Sequence, residues 1–156
     1  MQITRAADYA VRVMIHLAGL PPGVTVHRPD IAKATGVPQD FLSKVLQHLV
    51  QAGMVASQRG AGGGFRLAVA SSKVSLLNVL EVIEGPTRLN VCLRPGPSCA
   101  RKVWCAAHTV WVEAQAALER VLSSATIAKL AEQCARNIAP DERPKAARSR
   151  SLAAQS

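Results

Sequence analysis

Three cysteines and a histidine, Cys92, Cys99, Cys105 and His108, fall close together in the second half of this 156-residue sequence. Six residues separate the first two cysteines, five separate the next two, and two lie between Cys105 and the histidine. Thiolate and imidazole side chains are ligands that suit zinc or an iron–sulfur cluster. This stretch therefore predicts a metal site or an iron–sulfur site.

The spacing of the cysteines bears on which metal they hold. A structural zinc site usually takes at least one pair of ligands from a short knuckle, and both cysteine intervals here are longer than that. The intervals favour a loop wrapped around a larger iron–sulfur cluster. A structural zinc site stays open, however, because Cys105 and His108 would share one side of a helix, which zinc could use equally well.

Two residues are candidates for the fourth ligand. His108 is close in sequence to the last cysteine, whereas Asp8, in the first predicted helix, could reach the site only from a second subunit. A thiol-redox enzyme is the alternative from another class of protein, with a loop cysteine as nucleophile and His108 as the visible base. Cys134 stands alone, and we interpret it as a small apolar packing residue.

Apolar periodicity predicts the helices that precede these residues. One helix is expected over 4–20, a short one over 29–35 and a longer one over 38–52, with Gly36 as the turn between the last two. This order is a helix-turn-helix. The apolar side of the longer helix consists of Leu42, Val45, Leu46 and Leu49. Its polar side, which we expect to enter a major groove of DNA, presents Gln39, Asp40, Ser43, Lys44 and Gln47.

A β-hairpin is predicted next, with strands over 54–58 and 65–68 and a glycine-rich segment between them. A hairpin with a glycine tip after a helix-turn-helix is a wing. The glycines let the main chain approach a phosphate or the minor groove, while Arg59 and Arg66 supply positive charge. The wing is therefore a second predicted DNA-binding element.

The fold expected from these elements is mostly α, a winged helix-turn-helix followed by a long dimerisation helix. A further helix is predicted over 75–83 and the long helix over 106–122. We divide the chain into a DNA-binding domain (1–70), a cluster-binding loop with the dimerisation helix (71–136) and a disordered basic tail (137–156). The long helix has an apolar stripe that needs the first helix or a second subunit as partner: Val110, Trp111, Ala114, Ala117, Leu118, Val121 and Leu122.

The charge of the chain points to a polyanionic partner. Lysine and arginine number 19 against 10 aspartate and glutamate residues, which gives a net charge of +9. We therefore expect binding to double-stranded DNA. The N-terminal residues lack the apolar core of a signal peptide, and no stretch is apolar over the roughly 18 residues that a membrane span needs. The expected location is the cytoplasm, away from the membrane.

Three features together resemble the Rrf2 family of bacterial transcription regulators, whose branches include IscR, NsrR and RirA. They are the opening MQIT at 1–4 with DYAVR at 8–12, the wing RGAGGGFRL at 59–67, and the three-cysteine loop. The resemblance covers about residues 1–135. It implies a dimeric winged-helix protein that holds an iron–sulfur cluster through the loop cysteines.

The resemblance also bears on the fourth ligand. His108 with Trp111 resembles the IscR branch, where a histidine completes a two-iron (2Fe-2S) cluster. Asp8 resembles the NsrR branch, where an aspartate of the other subunit completes a four-iron (4Fe-4S) cluster. This chain carries both candidates, and its first cysteine interval is one residue longer than is usual in those branches.

We therefore interpret the sequence as a homodimeric transcription repressor, not an enzyme. The resemblance implies that its cluster senses redox state, nitric oxide or the supply of iron and clusters. Loss of the cluster would release the loop before the long helix and alter the spacing of the two recognition helices.

Overall fold

The computed structural model describes residues 3–60, 62–96 and 99–137. Over these residues the predicted mostly α fold with a hairpin wing is confirmed. Almost all of the predicted basic tail, from residue 138 onward, lies outside the described residues. The elements are α1 (Arg5–Ala18), α2 (Arg28–Thr35), α3 (Gln39–Gln51), β1 (Val55–Gln58), β2 (Gly64–Leu67), α4 (Leu76–Glu84), α5 (Ala106–Ser124) and α6 (Ile127–Asn137).

Helix α1 lies at the centre of the core. It begins where the Thr4 side chain accepts a hydrogen bond from the Ala7 N–H at 3.3 Å, as an N-cap does. Its apolar residues recur every three or four positions, so that one side is continuously buried against α3, α4 and α6. The buried residues of α1 are Ala7, Ala10, Val13, Met14 and Leu17.

The predicted helix-turn-helix is formed by α2 and α3. Gly36 ends α2 with φ of 68°, a left-handed conformation that glycine adopts without steric cost. The apolar side predicted for α3 is confirmed, because Leu42, Val45, Leu46 and Leu49 are buried. The opposite side of α3 is consequently turned to solvent.

The predicted wing is present as an antiparallel pair in which Val55 faces Leu67 and Gln58 faces Gly64. The loop before α2 extends this pair on its other side, because Val26 and Phe65 exchange main-chain hydrogen bonds of 2.9 and 2.8 Å. The bridge fixes the start of β2, near the loop end of the hairpin, to the segment that leads into the helix-turn-helix.

Helix α4 begins with a capping box, in which Ser75 and Asn78 each accept a hydrogen bond from the main chain of the other. After α5, the chain returns to the start of α4. There the N–H of Ile127, the first residue of α6, donates to the Val74 carbonyl at 2.8 Å. Helix α6 packs against α1, and α5 packs against α4.

The apolar stripe of α5 is only partly used within the protomer. Among the described residues, α5 packs mainly against α4 and not against α1 as one alternative expected, and its buried residue is the polar Gln115. Val110 and Val121 are 62% and 60% exposed, and Trp111 is 39% exposed. This side of α5 is thus left available to a second subunit.

The prediction that Cys134 packs in an apolar core is wrong. Cys134 is exposed, although it lies seven residues after the buried Ile127 and so on the same side of α6. The reason is that the last turn of α6 extends past the core, and its side chains from residue 132 onward meet solvent.

Within the described ranges, no helix is long and apolar enough to cross a membrane.

Candidate functional site

The structure brings the three loop cysteines and His108 to one cavity of about 200 Å³. Cys92 lies on a 3₁₀ turn, Val91–Leu93, and Cys105 is the N-cap residue of α5. Cys99 lies on the connection between them. The remaining lining residues are Asn90, Val91, Lys102 and Trp111.

Local hydrogen bonds hold the two sides of this cysteine pocket. On one side, the Asn90 side chain accepts from the Val91 N–H at 2.7 Å and starts the turn that carries Cys92. On the other, the His108 N–H donates to the Cys105 carbonyl at 3.0 Å in the first turn of α5. Residues three apart lie on one side of a helix, so both Cys105 and His108 face the cavity.

His108 has a free ring nitrogen inside the protein. Its Nδ1 is buried and has no hydrogen-bond partner among the described residues. A buried polar atom without a partner costs about 1–3 kcal/mol, so such atoms usually have a reason to be there. His108 is also one of the residues that line the cysteine pocket.

The thiols of the pocket are free, and they differ in exposure. Cys99 is exposed, whereas Cys92 and Cys105 are half-buried. In the part of the chain that the structure describes, no group of three potential ligands converges closely enough to hold a single metal ion. All three cysteines line the same cavity of about 200 Å³.

Asp8, the second candidate for the fourth ligand, does not line the cysteine pocket of its own protomer. Its carboxylate forms an ion pair with Arg12 one turn later, with 2.8 Å between Oδ2 and Nη2. The Arg12 guanidinium also lies over the Tyr9 ring, 5.8 Å from the ring centroid. Asp8 is therefore engaged on the surface of α1.

A network that the sequence did not reveal fixes the segment leading into the pocket. Gln115 Nε2 donates to the Thr87 carbonyl at 2.8 Å, and Gln115 Oε1 accepts from the Leu89 N–H at 2.9 Å. Glu119 accepts from Gln115 at 2.7 Å and pairs with Arg88 at 3.1 Å. From the sequence alone, a glutamine in an apolar helix is expected to face solvent. Its position on the apolar stripe, between Trp111 and Leu118, is the signal that could have indicated burial.

The exposed side of α3 carries the predicted DNA-contacting residues. Gln39, Lys44 and Gln47 are exposed, and so is Asp40. Ser43 is partly covered because it accepts a hydrogen bond from Arg28 Nη1 at 3.0 Å, a contact that the sequence did not predict. Next to this side, Phe41 is 49% exposed and packs edge-on against Tyr9.

The wing places Arg59 and Arg66 at the protein surface, where both are exposed. Arg66 Nη1 lies 3.4 Å from the Leu67 carbonyl, so Arg66 partly folds back on its own strand. Gly64 has φ of 146°, and a Cβ atom there would lie 2.4 Å from the Val26 carbonyl oxygen. The glycine thus allows the close approach that fixes the wing.

Comparison with known families gives one match over most of the chain. The model of the Rrf2 family, described as iron-dependent transcriptional regulators, matches residues 3–133. This range includes α3, the wing and the whole cysteine pocket.

Individual relatives agree with the family match. The protein rrf2 of Nitratidesulfovibrio vulgaris is 32% identical over 143 residues, which cover 88% of this chain and 93% of the relative. The transcriptional regulator IscR of Vibrio cholerae is 29% identical over 130 residues, or 83% of this chain and 75% of IscR. The solved structure of CymR, the global cysteine regulator of B. subtilis, is 26% identical with a TM-score of 0.69, over 85% of this chain and 98% of that one.

Proposed function

The chain belongs to the Rrf2 family of iron-dependent transcriptional regulators, and on that premise we propose that it is a repressor whose DNA affinity is controlled by an iron–sulfur cluster. As a transcriptional regulator it is not the thiol-redox enzyme that the cysteines alone left open.

The main support for an iron–sulfur cluster is the set of potential ligands in the cysteine pocket. Three cysteines with free thiols line one cavity with His108, whose buried Nδ1 has no hydrogen-bond partner among the described residues. Thiolates are the usual ligands of iron–sulfur clusters, and histidine is an accepted substitute for cysteine on an iron atom. When bound, the cluster would supply a group that changes its redox state or is lost on oxidative or nitrosative damage.

The arrangement of the thiols supports a cluster over a structural zinc ion. Zinc needs four ligands at about 2.0–2.3 Å from a single point. Among the described residues no group of three potential ligands for a metal ion is found. Thiols that bind different iron atoms of a cluster need not converge, so a cavity of about 200 Å³ between them suits the larger group.

We propose His108 as the fourth ligand. It shares the cavity with the cysteines, and its buried ring nitrogen lacks another partner among the described residues. Asp8 would have to come from a second subunit and leave its ion pair with Arg12. An exposed ion pair such as Asp8–Arg12 contributes little to stability, so breaking it would cost little. Asp8 therefore remains the alternative fourth ligand, and iron and sulfide analysis of Asp8→Ala tests it.

DNA binding is assigned to the exposed side of α3 and to the wing. Gln39, Lys44 and Gln47 would contact base edges in the major groove, and Arg59 and Arg66 would contact the backbone or the minor groove. The net charge of +9 supports the polyanionic partner.

A homodimer would connect the pocket to DNA. The pocket includes the first turn of α5, and the exposed apolar residues of α5 begin at Val110, two residues after His108, and Trp111. If a second subunit covers this side of α5, any movement of the first turn changes the subunit contact. The distance between the two copies of α3 would change with it, and two half-sites on DNA respond to that distance.

The test is the visible absorption spectrum, with iron and acid-labile sulfide content, of the full chain purified without oxygen. We expect a coloured protein whose iron and sulfide are lost in Cys92→Ala and reduced in His108→Ala. Asp8→Ala should keep both, like the control Asp30→Ala, which removes an exposed acid in α2. Loss in Asp8→Ala with retention in His108→Ala would reverse the assignment, and zinc without sulfide would refute the cluster.

A further inference from the structure

Arg28, at the start of α2, reaches across to the DNA-facing side of α3. Its Nη1 donates a hydrogen bond of 3.0 Å to the Ser43 hydroxyl oxygen. The Ser43 hydroxyl in turn donates to the Gln39 carbonyl at 3.1 Å. Because a serine hydroxyl has a single proton, and that proton is committed to the helix backbone, its oxygen is left to accept from Arg28.

The fold holds the two helices so that this contact forms. Ile31 of α2 is fully buried, and Val37, in the turn, is 2% exposed. Together with the left-handed Gly36 they fix the angle between α2 and α3. The first turn of α2 therefore lies beside the first turns of α3, where Gln39 and Lys44 are exposed.

The chemistry of the guanidinium group suits a nucleic acid. It carries five N–H donors in a planar fork, and Ser43 takes one of them, so the others stay available. Arg28 is exposed, and no carboxylate ion pair is found for it among the described residues. A side chain already held in place also loses less conformational entropy on binding than a free one.

We propose that Arg28 contacts DNA directly and that Ser43 orients it, acting as a positioning residue instead of a base contact. This inference rests on the proposed DNA-binding function. The ligand chemistry is a pair of acceptor atoms in the DNA, supplied either by the edge of a guanine in the major groove or by a phosphate. Arg28 thereby extends the contact surface of α3 by one residue of the preceding helix.

The experiment begins with selection of bound sequences from a pool of random double-stranded DNA, using the full chain with its native cofactor content. Affinity for the selected site is then measured for wild type, Arg28→Gln, Arg28→Lys and Ser43→Ala. Arg136→Gln removes the same charge from the exposed end of α6 and is the control. Urea unfolding of each variant shows that it is folded.

Arg28→Gln should weaken binding to the selected site by about 5- to 150-fold, the effect of losing one bidentate contact, while Arg136→Gln has a much smaller effect. If the partner is guanine, Arg28→Lys loses affinity and one position of the selected site relaxes. If the partner is a phosphate, Arg28→Lys keeps most of the affinity and the selected site is unchanged.

The positioning role of Ser43 has its own readout. Ser43→Ala should lose affinity, Ser43→Thr should restore it because the hydroxyl is kept, and Ser43→Ala should have no further effect in an Arg28→Gln background. Equal affinities of Arg28→Gln and Arg136→Gln would overturn the inference. If wild type enriches no sequence at all, the proposed DNA-binding function fails instead.

Discussion

Gln115 Oε1 accepts the main-chain N–H of Leu89 at 2.9 Å, which joins the middle of α5 to the segment that leads into the cysteine pocket. Leu89 lies three residues before Cys92, while α5 begins directly after Cys105. The two sides of the pocket are thus fixed to each other by a buried amide. Whatever the pocket holds, its ligands are positioned by Gln115.

Replacing Gln115 by leucine should therefore destabilise the protein and loosen this segment. The change leaves the Leu89 N–H and the Thr87 carbonyl without their buried partner, which costs about 1–3 kcal/mol in the free energy of unfolding. Urea unfolding measures the cost, and hydrogen exchange should show faster exchange of the Leu89 amide. Gln133→Leu, at an exposed position of α6, is the control and should change neither quantity. Unchanged exchange at Leu89 would contradict the role given to Gln115.

The two sides of α3 should respond to mutation in opposite ways. Leu46 is 1% exposed and belongs to the core, so Leu46→Ala should lower the free energy of unfolding by about 2–5 kcal/mol. Its neighbour Gln47 is exposed, and Gln47→Ala should change stability by less than about 0.5 kcal/mol while weakening DNA binding. Chemical unfolding and DNA titration of both variants check this, and a stability loss in Gln47→Ala would refute the placement of the helix.

The wing offers a matched pair of glycines. Gly64→Ala places a Cβ atom 2.4 Å from the Val26 carbonyl oxygen in a glycine-only conformation, whereas Gly62 has nothing within 4 Å. Gly64→Ala should cost about 1–3 kcal/mol in the free energy of unfolding and impair DNA binding, whereas Gly62→Ala should leave the free energy of unfolding unchanged. Thermal unfolding and DNA affinity of the two variants test this; similar behaviour of the two would show that the wing is not fixed at Val26.

His16 should make stability depend on pH. Burial lowers the pKa of His16 from its ordinary value of 6.5, because the charged form is poorly solvated there. Below pH 6.5 the unfolded chain then binds more protons than the folded one, so stability falls as pH falls and stops falling below the folded pKa. His16→Gln, which cannot titrate, should show a shallower decline in free energy of unfolding between pH 7.5 and 5. Parallel pH profiles of the two proteins would contradict this.

Much of the fold follows from sequence because single helices carry their own signal. Helices α1 and α3 each bury apolar residues that are three or four positions apart. This spacing can be recognised within the segment itself, without knowledge of its tertiary contacts. The grouping of the cysteines with His108 is local as well, since a short loop cannot spread them far apart.

What the sequence did not reveal depends on contacts between elements. The Arg28–Ser43 hydrogen bond joins two helices whose crossing angle is set by the turn at Gly36. Periodicity gave the apolar stripe of α5 but not what covers it, and the structure leaves Val110 and Val121 exposed. The same holds for Cys134. Its spacing from Ile127 places it on the buried side of α6, but spacing along a helix does not show where the core ends.

We propose that the group bound in the cysteine pocket controls the affinity of the protein for DNA. A fluorescence-anisotropy titration of one selected DNA site checks this, with the protein as purified without oxygen and after removal of the proposed cluster. We predict dissociation constants that differ by about 5- to 150-fold, with Cys92→Ser fixed at the cluster-free value. Equal dissociation constants for the loaded protein, the cluster-free protein and Cys92→Ser would contradict the account.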